Sequence, residues 1–349
     1  MRIAQLTLDG YENYGQVLQR YALQRVLKNF TESVEVLWHQ RGKYFPPQVL
    51  ELNRYSLGNK RDAAFNSVRR NKIKEFNDAN ICTRFDVPYL EDLADEYDFF
   101  VVGSDQVWNP KKYFKGRFLE FAPRRKRIAY AASIAVSELP DDVKDYYREK
   151  ISEMPYVSLR EKEGVDFVEK LTGKKPLLVV DPVFLLTTED WRKLSKRPAW
   201  LNKKIYDNGY IMTYFFNGTP PRSIEIFANE LNLPLINMYN INNFDHYITG
   251  IEEFLYLIDH ATLIDTQSFH GTAFATIFER PFISRGNNSR VKTLLELFNL
   301  NERVLDTKLK INDDVLKIDF TRRDEVLPFE RAKAFKFLSE ALLSGGDAK

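Results

Sequence analysis

The stretch Thr262-Leu263-Ile264-Asp265-Thr266-Gln267-Ser268-Phe269-His270-Gly271-Thr272-Ala273-Phe274-Ala275-Thr276-Ile277-Phe278-Glu279 decides the fold. Its short apolar start reads as a buried strand over Thr262–Ile264, and its end reads as a helix over His270–Glu279. A strand that passes into a helix through a short polar turn is the repeating unit of α/β proteins. Such a turn leaves unpaired backbone N–H groups at the helix start, which suits a phosphate or a carboxylate. Ser268, Gly271 and Thr272 fit that role, with Gln267 beside them, and His270 is placed to move a proton near neutral pH. The plainer reading makes Ser268 a helix cap and His270 a packed turn residue. A helix start also disfavours a charged imidazole, whereas a bound dianion would favour it.

The same alternation continues in both directions. Phe282–Ile283 reads as the next strand, followed by Arg285 and Arg290 around Gly286-Asn287-Asn288; Phe329–Leu343 reads as an amphipathic helix and Ser344–Lys349 as a frayed tail. Toward the N-terminus come a helix at Glu252–His260, strands at Leu235–Met238, Tyr210–Phe216, Leu177–Val180 and Tyr156–Leu159, and helices from Arg222 and over Pro140–Ser152. Asp98–Val102 and Arg127–Ser133 are continuously apolar and read as central strands. Ile3–Leu8, Gln16–Asn29 and Val34–Trp38 form a strand–helix–strand opening, and Arg41–Asp78 reads as a mobile segment before a helix near Arg69–Asn77.

With 349 residues the chain predicts two domains. The pattern makes both of them α/β, facing a cleft, over residues 1–160 and 161–325, with a C-terminal helix and tail over 326–349. Hydrophobic residues make up 44%, which excludes general disorder, and the single cysteine, Cys82, excludes a disulfide framework or a thiolate metal site. The four histidines are scattered, and no metal or cofactor is expected. No signal peptide or run of about 18 apolar residues is visible, so the expected location is cytoplasmic. The net charge of +2 argues against a general nucleic-acid binder.

That number hides local extremes. Between Lys111 and Arg127 stand eight basic residues against one acid, after a stretch from Asp86 to Asp98 with six acids and no base. The basic run suits an anionic membrane surface or a diphosphate-linked substrate, and equally a solvated face neutralised by its acidic neighbour.

Three further strand ends carry candidate chemistry. Gly103-Ser104-Asp105-Gln106-Val107-Trp108-Asn109-Pro110 offers Ser104, Asp105 and Gln106 to hydroxyls and Trp108 to a sugar face, or else makes an Asx-type turn closed by the Trp. Asn13-Tyr14-Gly15 begins a helix that a ligand can approach closely at Gly15, with Asn13 as the simpler cap. Arg160 projects from a strand end, where its planar fork matches a carboxylate or a phosphate; a surface ion pair is the usual alternative, as for Arg285 and Arg290.

In order, Asn13-Tyr14-Gly15 with Leu18-Gln19-Arg20-Tyr21-Ala22-Leu23-Gln24, Gly103 to Pro110, Tyr130-Ala131-Ala132-Ser133, Ser158-Leu159-Arg160-Glu161-Lys162, Asp181-Pro182-Val183, Ser268 to Ala275 and Pro281-Phe282-Ile283 resemble the polysaccharide pyruvyl transferase family. The resemblance covers about Arg2 to Arg303. It implies a GT-B-like fold and a reaction in which phosphoenolpyruvate, as co-substrate, donates pyruvate to two sugar hydroxyls as a cyclic ketal in bacterial surface-polysaccharide assembly. His270 matches the histidine proposed for proton transfer, and Arg160 an arginine that holds the donor's charges. Gln267, Ser268, Gly271, Thr272, Arg285 and Arg290 are then expected on the donor side. Asn13, Tyr14, Gly15, Ser104, Asp105, Gln106 and Trp108 are expected to face a sugar or lipid-diphosphate-linked acceptor. One departure is visible: some family members carry Arg-Leu before this histidine, where Ser268-Phe269 stands here. A GT-B-like glycosyltransferase using a nucleotide sugar and a non-catalytic glycan-binding relative are the competing readings.

Overall fold

A computed structural model describes residues 1–38, 60–85, 87, 89–112, 116–216, 219–286, 288–306 and 310–343, with only the backbone over 60–63. The expected mobile segment up to residue 59, the frayed tail 344–349, and Tyr113, Phe114 and Lys115 of the basic run lie outside these residues.

The first domain is built on a seven-stranded parallel sheet. Its strands are β1 (Ile3–Leu6), β2 (Val34–Leu37), β3 (Thr83–Arg84), β4 (Phe99–Asp105), β5 (Arg127–Ala132), β6 (Tyr156–Leu159) and β7 (Leu177–Leu178), in the order β3-β2-β1-β4-β5-β6-β7. Helices α1 (Tyr14–Leu27), α2 (Lys60–Asn80), α3 (Asp141–Ser152) and α4 (Lys162–Thr172) accompany it. Every residue of β4 and β5 is buried, as their unbroken apolar runs require of central parallel strands.

Helix α5 (Thr188–Leu194) leads into the second domain. Strands β8 (Ile211–Tyr214), β9 (Leu235–Asn237), β10 (Leu263–Thr266) and β11 (Phe282–Ser284) form a parallel sheet in the order β11-β10-β8-β9. Helices α6 (Arg222–Glu230), α7 (Phe244–Tyr247), α8 (Ile251–Asp259), α9 (Phe269–Ile277) and α10 (Ser289–Phe298) accompany these strands. Because β7 pairs with β6, the first sheet runs through Leu178, past the expected division at 160/161.

The terminal helix α11 (Thr321–Leu343) starts earlier than the apolar pattern from Phe329 suggested. It crosses back to the first domain, where Phe337 meets the rings of Tyr130 and Tyr156. The domains share one apolar core: buried Tyr14 of α1 stacks on Phe254 of α8 at 4.4 Å and donates its hydroxyl to the Thr249 carbonyl. This packing brings the start of α1 against the start of α9.

Candidate functional site

The contact between those two helix starts is close. A Cβ built on Gly15 would lie 2.0 Å from Nδ1 of His270, so only glycine lets α1 approach the imidazole. Asn13 caps α1 by accepting from the Gly15 N–H, and Ser268 caps α9 by accepting from the Gly271 N–H. His270 is 6% exposed, and its Nε2 has no hydrogen-bond partner.

Nε2 faces a carboxylate: Oδ2 of Asp181 lies 3.7 Å away. Asp181 caps the turn Pro182–Phe184 by accepting from the Val183 N–H, which fixes its orientation. It also accepts from Ser104 Oγ at 3.1 Å and pairs with the Arg160 guanidinium. Arg160, just past β6, reaches Asp105 Oδ1 at 2.8 Å with its other terminal nitrogen. Four strand ends thereby converge: β4 supplies Ser104 and Asp105, β6 supplies Arg160, β7 leads to Asp181, and β10 leads to His270. This is where parallel α/β sheets present ligand-binding groups.

The charges are unequally matched. Arg160 has two carboxylate partners, with its side chain 1% exposed. Arg290, in the first turn of α10, has none among the described residues, and its buried Nε lacks an acceptor. Lys112, in the loop after β4, is half-buried and likewise has no carboxylate partner among the described residues. Burial pushes both cations below their usual pKa values, and the Arg160 charge adds to this. Burial pushes the Asp105 carboxyl up, but Arg160, His270, Lys112 and Arg290 outweigh it and hold the pKa at about 2. For Asp181 the same contest, won mainly by Arg160 and then His270, holds it well below the usual carboxylate range. Glu161 differs: burial raises its pKa, and its Oε1 accepts from the Ile134 N–H at 2.9 Å.

Of the expected residues, His270, Arg160, Gly15, Ser104, Asp105 and Arg290 come together here. Others do not. Trp108 is fully buried and donates its indole N–H to the Arg117 carbonyl, so no face is open to a sugar ring. Tyr14 is committed to the inter-domain core. The Thr272 hydroxyl donates to the Ser268 carbonyl, and Gly271 packs on Thr266. Half-buried Gln106 accepts from Asn109, and Gln267 is half-buried in the turn before α9. Arg285 is drawn away to Asp265 and to the Asp306 carbonyl. Within the basic run, Arg117, Arg124, Lys126 and Arg127 bind internal acceptors. Asp181 and Lys112 are the cluster members that residue chemistry alone did not single out.

The fold and this strand-end cluster together define a GT-B-like protein of two Rossmann-like domains. Similar architectures are MnaA of S. aureus in its UDP co-structure (TM-score 0.53, 11% identity, 97% of this chain and 91% of that one) and Anabaena HepE in complex with UDP and glucose (0.51, 10%, 99% and 100%). At these identities the likeness concerns the fold. The family described as polysaccharide pyruvyl transferase matches residues 13–289, and the chain belongs to that family. No individual curated protein matches significantly. No described helix is long and apolar enough to cross a membrane.

Proposed function

We propose that the protein transfers pyruvate from phosphoenolpyruvate to two hydroxyls of a sugar, forming a cyclic ketal during bacterial surface-polysaccharide synthesis. The observation that carries this reading is the pairing of a buried imidazole, faced by Asp181 at 3.7 Å, with two cations, Arg290 and Lys112, that lack carboxylate partners among the described residues. The donor brings a phosphate and a carboxylate, and half-buried cations without carboxylate partners suit both.

In this mechanism the His270 imidazolium gives a proton to the donor's methylene carbon, which becomes the methyl group. The neighbouring carbon gains oxocarbenium character and is attacked by the first sugar hydroxyl, which loses its proton. The bond from that carbon to the phosphate oxygen then breaks, and phosphate leaves toward Arg290 and Lys112. The second hydroxyl closes the ketal and releases its proton, so one phosphate is released for each ketal formed. Such proton transfer typically contributes 10²–10⁴-fold to rate.

The acceptor in this reading is a sugar carried on a lipid diphosphate, met at the cytoplasmic face of the membrane. Mass spectrometry of candidate lipid-linked glycans after incubation with phosphoenolpyruvate tests the reaction: a gain of pyruvate minus water is expected. Nucleotide release from a nucleotide sugar, without that gain, contradicts it.

A further inference from the structure

Beside the cluster, where the domains meet, lies a cavity of about 250 Å³ that His270 does not line. Its walls are largely hydrocarbon: Leu178, Val180, Phe184, Phe269, Leu294 and Leu297, drawn from β7, the segment after it, and the starts and faces of α9 and α10. Its charged residues are the cations Arg160, Lys162, Arg290 and Lys333 and the acids Asp181, Glu296 and Glu330. The Nε–H groups of both arginines are buried and have no acceptor. Arg160 also lies over the Phe269 ring, 4.8 Å from its centroid, so cation and apolar wall are contiguous.

These two properties select a ligand. A buried guanidinium N–H without an acceptor favours an incoming anion, because the desolvation cost is already present in the free protein. Apolar walls favour hydrocarbon and disfavour a molecule polar on every side, which would lose hydration without gaining partners. Phosphoenolpyruvate, with two anionic groups around a two-carbon unit, answers the first property and little of the second. We infer that the cavity binds a phosphate or carboxylate joined to a short hydrocarbon body, with the anion at Arg160 and Arg290 and the body against Leu178, Val180 and Leu297. The inference shares Arg290 with the donor site proposed above, so the two ligands compete there, but its test does not require turnover. The chemistry is shared by a free amphiphilic acid and by the phosphate-proximal carbons of a lipid carrier.

Isothermal titration of the full-length protein with inorganic phosphate, ethyl, butyl and hexyl phosphate, and hexanol tests it. Affinity is expected to rise by roughly fourfold per methylene while the chain remains within the cavity, with hexanol far weaker than hexyl phosphate. Leu297→Trp and, on the opposite wall, Leu178→Trp should flatten the chain-length series, and Arg290→Ala should weaken hexyl phosphate about tenfold or more. Thermal unfolding of each variant shows that it is folded; both Trp positions are half-buried, so at least one filled variant is expected to fold. To separate the sources, neutral phosphatidylcholine vesicles with and without dicetyl phosphate are floated with the protein. Co-flotation that requires dicetyl phosphate and is lost in Leu297→Trp identifies a lipid phosphate; alkyl phosphate binding without co-flotation identifies a free amphiphile. A wild-type series with no chain-length dependence, or filled variants that bind hexyl phosphate as wild type does, overturns the inference. Ketal formation with a flat alkyl series refutes the cavity ligand alone, whereas a steep series without ketal formation refutes only the reaction.

Discussion

Arg285 and Arg160 both follow a strand end, are buried, and pair with aspartate, yet their surroundings differ. At the end of β11, Arg285 donates to both oxygens of Asp265, to the Leu305 and Asp306 carbonyls and to Ser223, and no nitrogen of its fork is left over. At the end of β6, Arg160 keeps a buried Nε without an acceptor, His270 an unpartnered Nε2, and neighbouring Arg290 an unpartnered Nε. A closed polar network stabilises a fold, whereas an open one retains unspent binding capacity. Saturation of partners, rather than burial or charge, separates Arg285 from Arg160 and Arg290.

The largest expected effect comes from breaking the closed pair. Arg285→Ala leaves the 0% exposed Asp265 side chain without its counter-charge and should cost about 3–5 kcal/mol of stability in urea unfolding. Turnover per folded molecule should stay within about twofold of wild type; a selective loss of turnover would return Arg285 to the donor site.

Acid titration reads the open cluster more gently. Asp105 has its folded pKa depressed to about 2 from 3.8, so its stabilisation is present above pH ~3.8 and is lost as pH falls toward ~2. By linkage this amounts to about 2 kcal/mol. Urea midpoints measured across that window should fall in wild type, and less steeply in Asp105→Asn.

A smaller effect sharpens the contrast. Arg290→Ala removes a half-buried cation with no ion-paired acid among the described residues, so its unfolding temperature should stay close to that of wild type. The KM for phosphoenolpyruvate should rise about tenfold, a loss of about 1.4 kcal/mol. A clear drop in stability with unchanged KM would place Arg290 with the closed type.

Much of this was legible in residues. The continuously apolar runs at β4 and β5, and the turn from β10 into α9, follow directly from local pattern. The resemblance carried His270 and Arg160. An Asp before Pro most often signals a cap, and Asp181 both caps its turn and faces His270. Lys112 was hidden in a basic run. An aromatic at a strand end serves a core as readily as a sugar face, and Trp108 and Tyr14 serve the core. Arg285 and Arg290 are equivalent in sequence; what divides them is Asp265, 20 residues away on a neighbouring strand. Strand β7, only two residues long, gives no hint in sequence of which sheet it joins.

The central claim is that the open cluster around His270 performs the chemistry. The direct measurement is phosphate release from phosphoenolpyruvate in the presence of a glycan acceptor, comparing wild type with His270→Ala at matched thermal stability. Release by wild type and a loss of at least about 10²-fold in the variant is the predicted result. Equal rates in the two proteins would contradict the account.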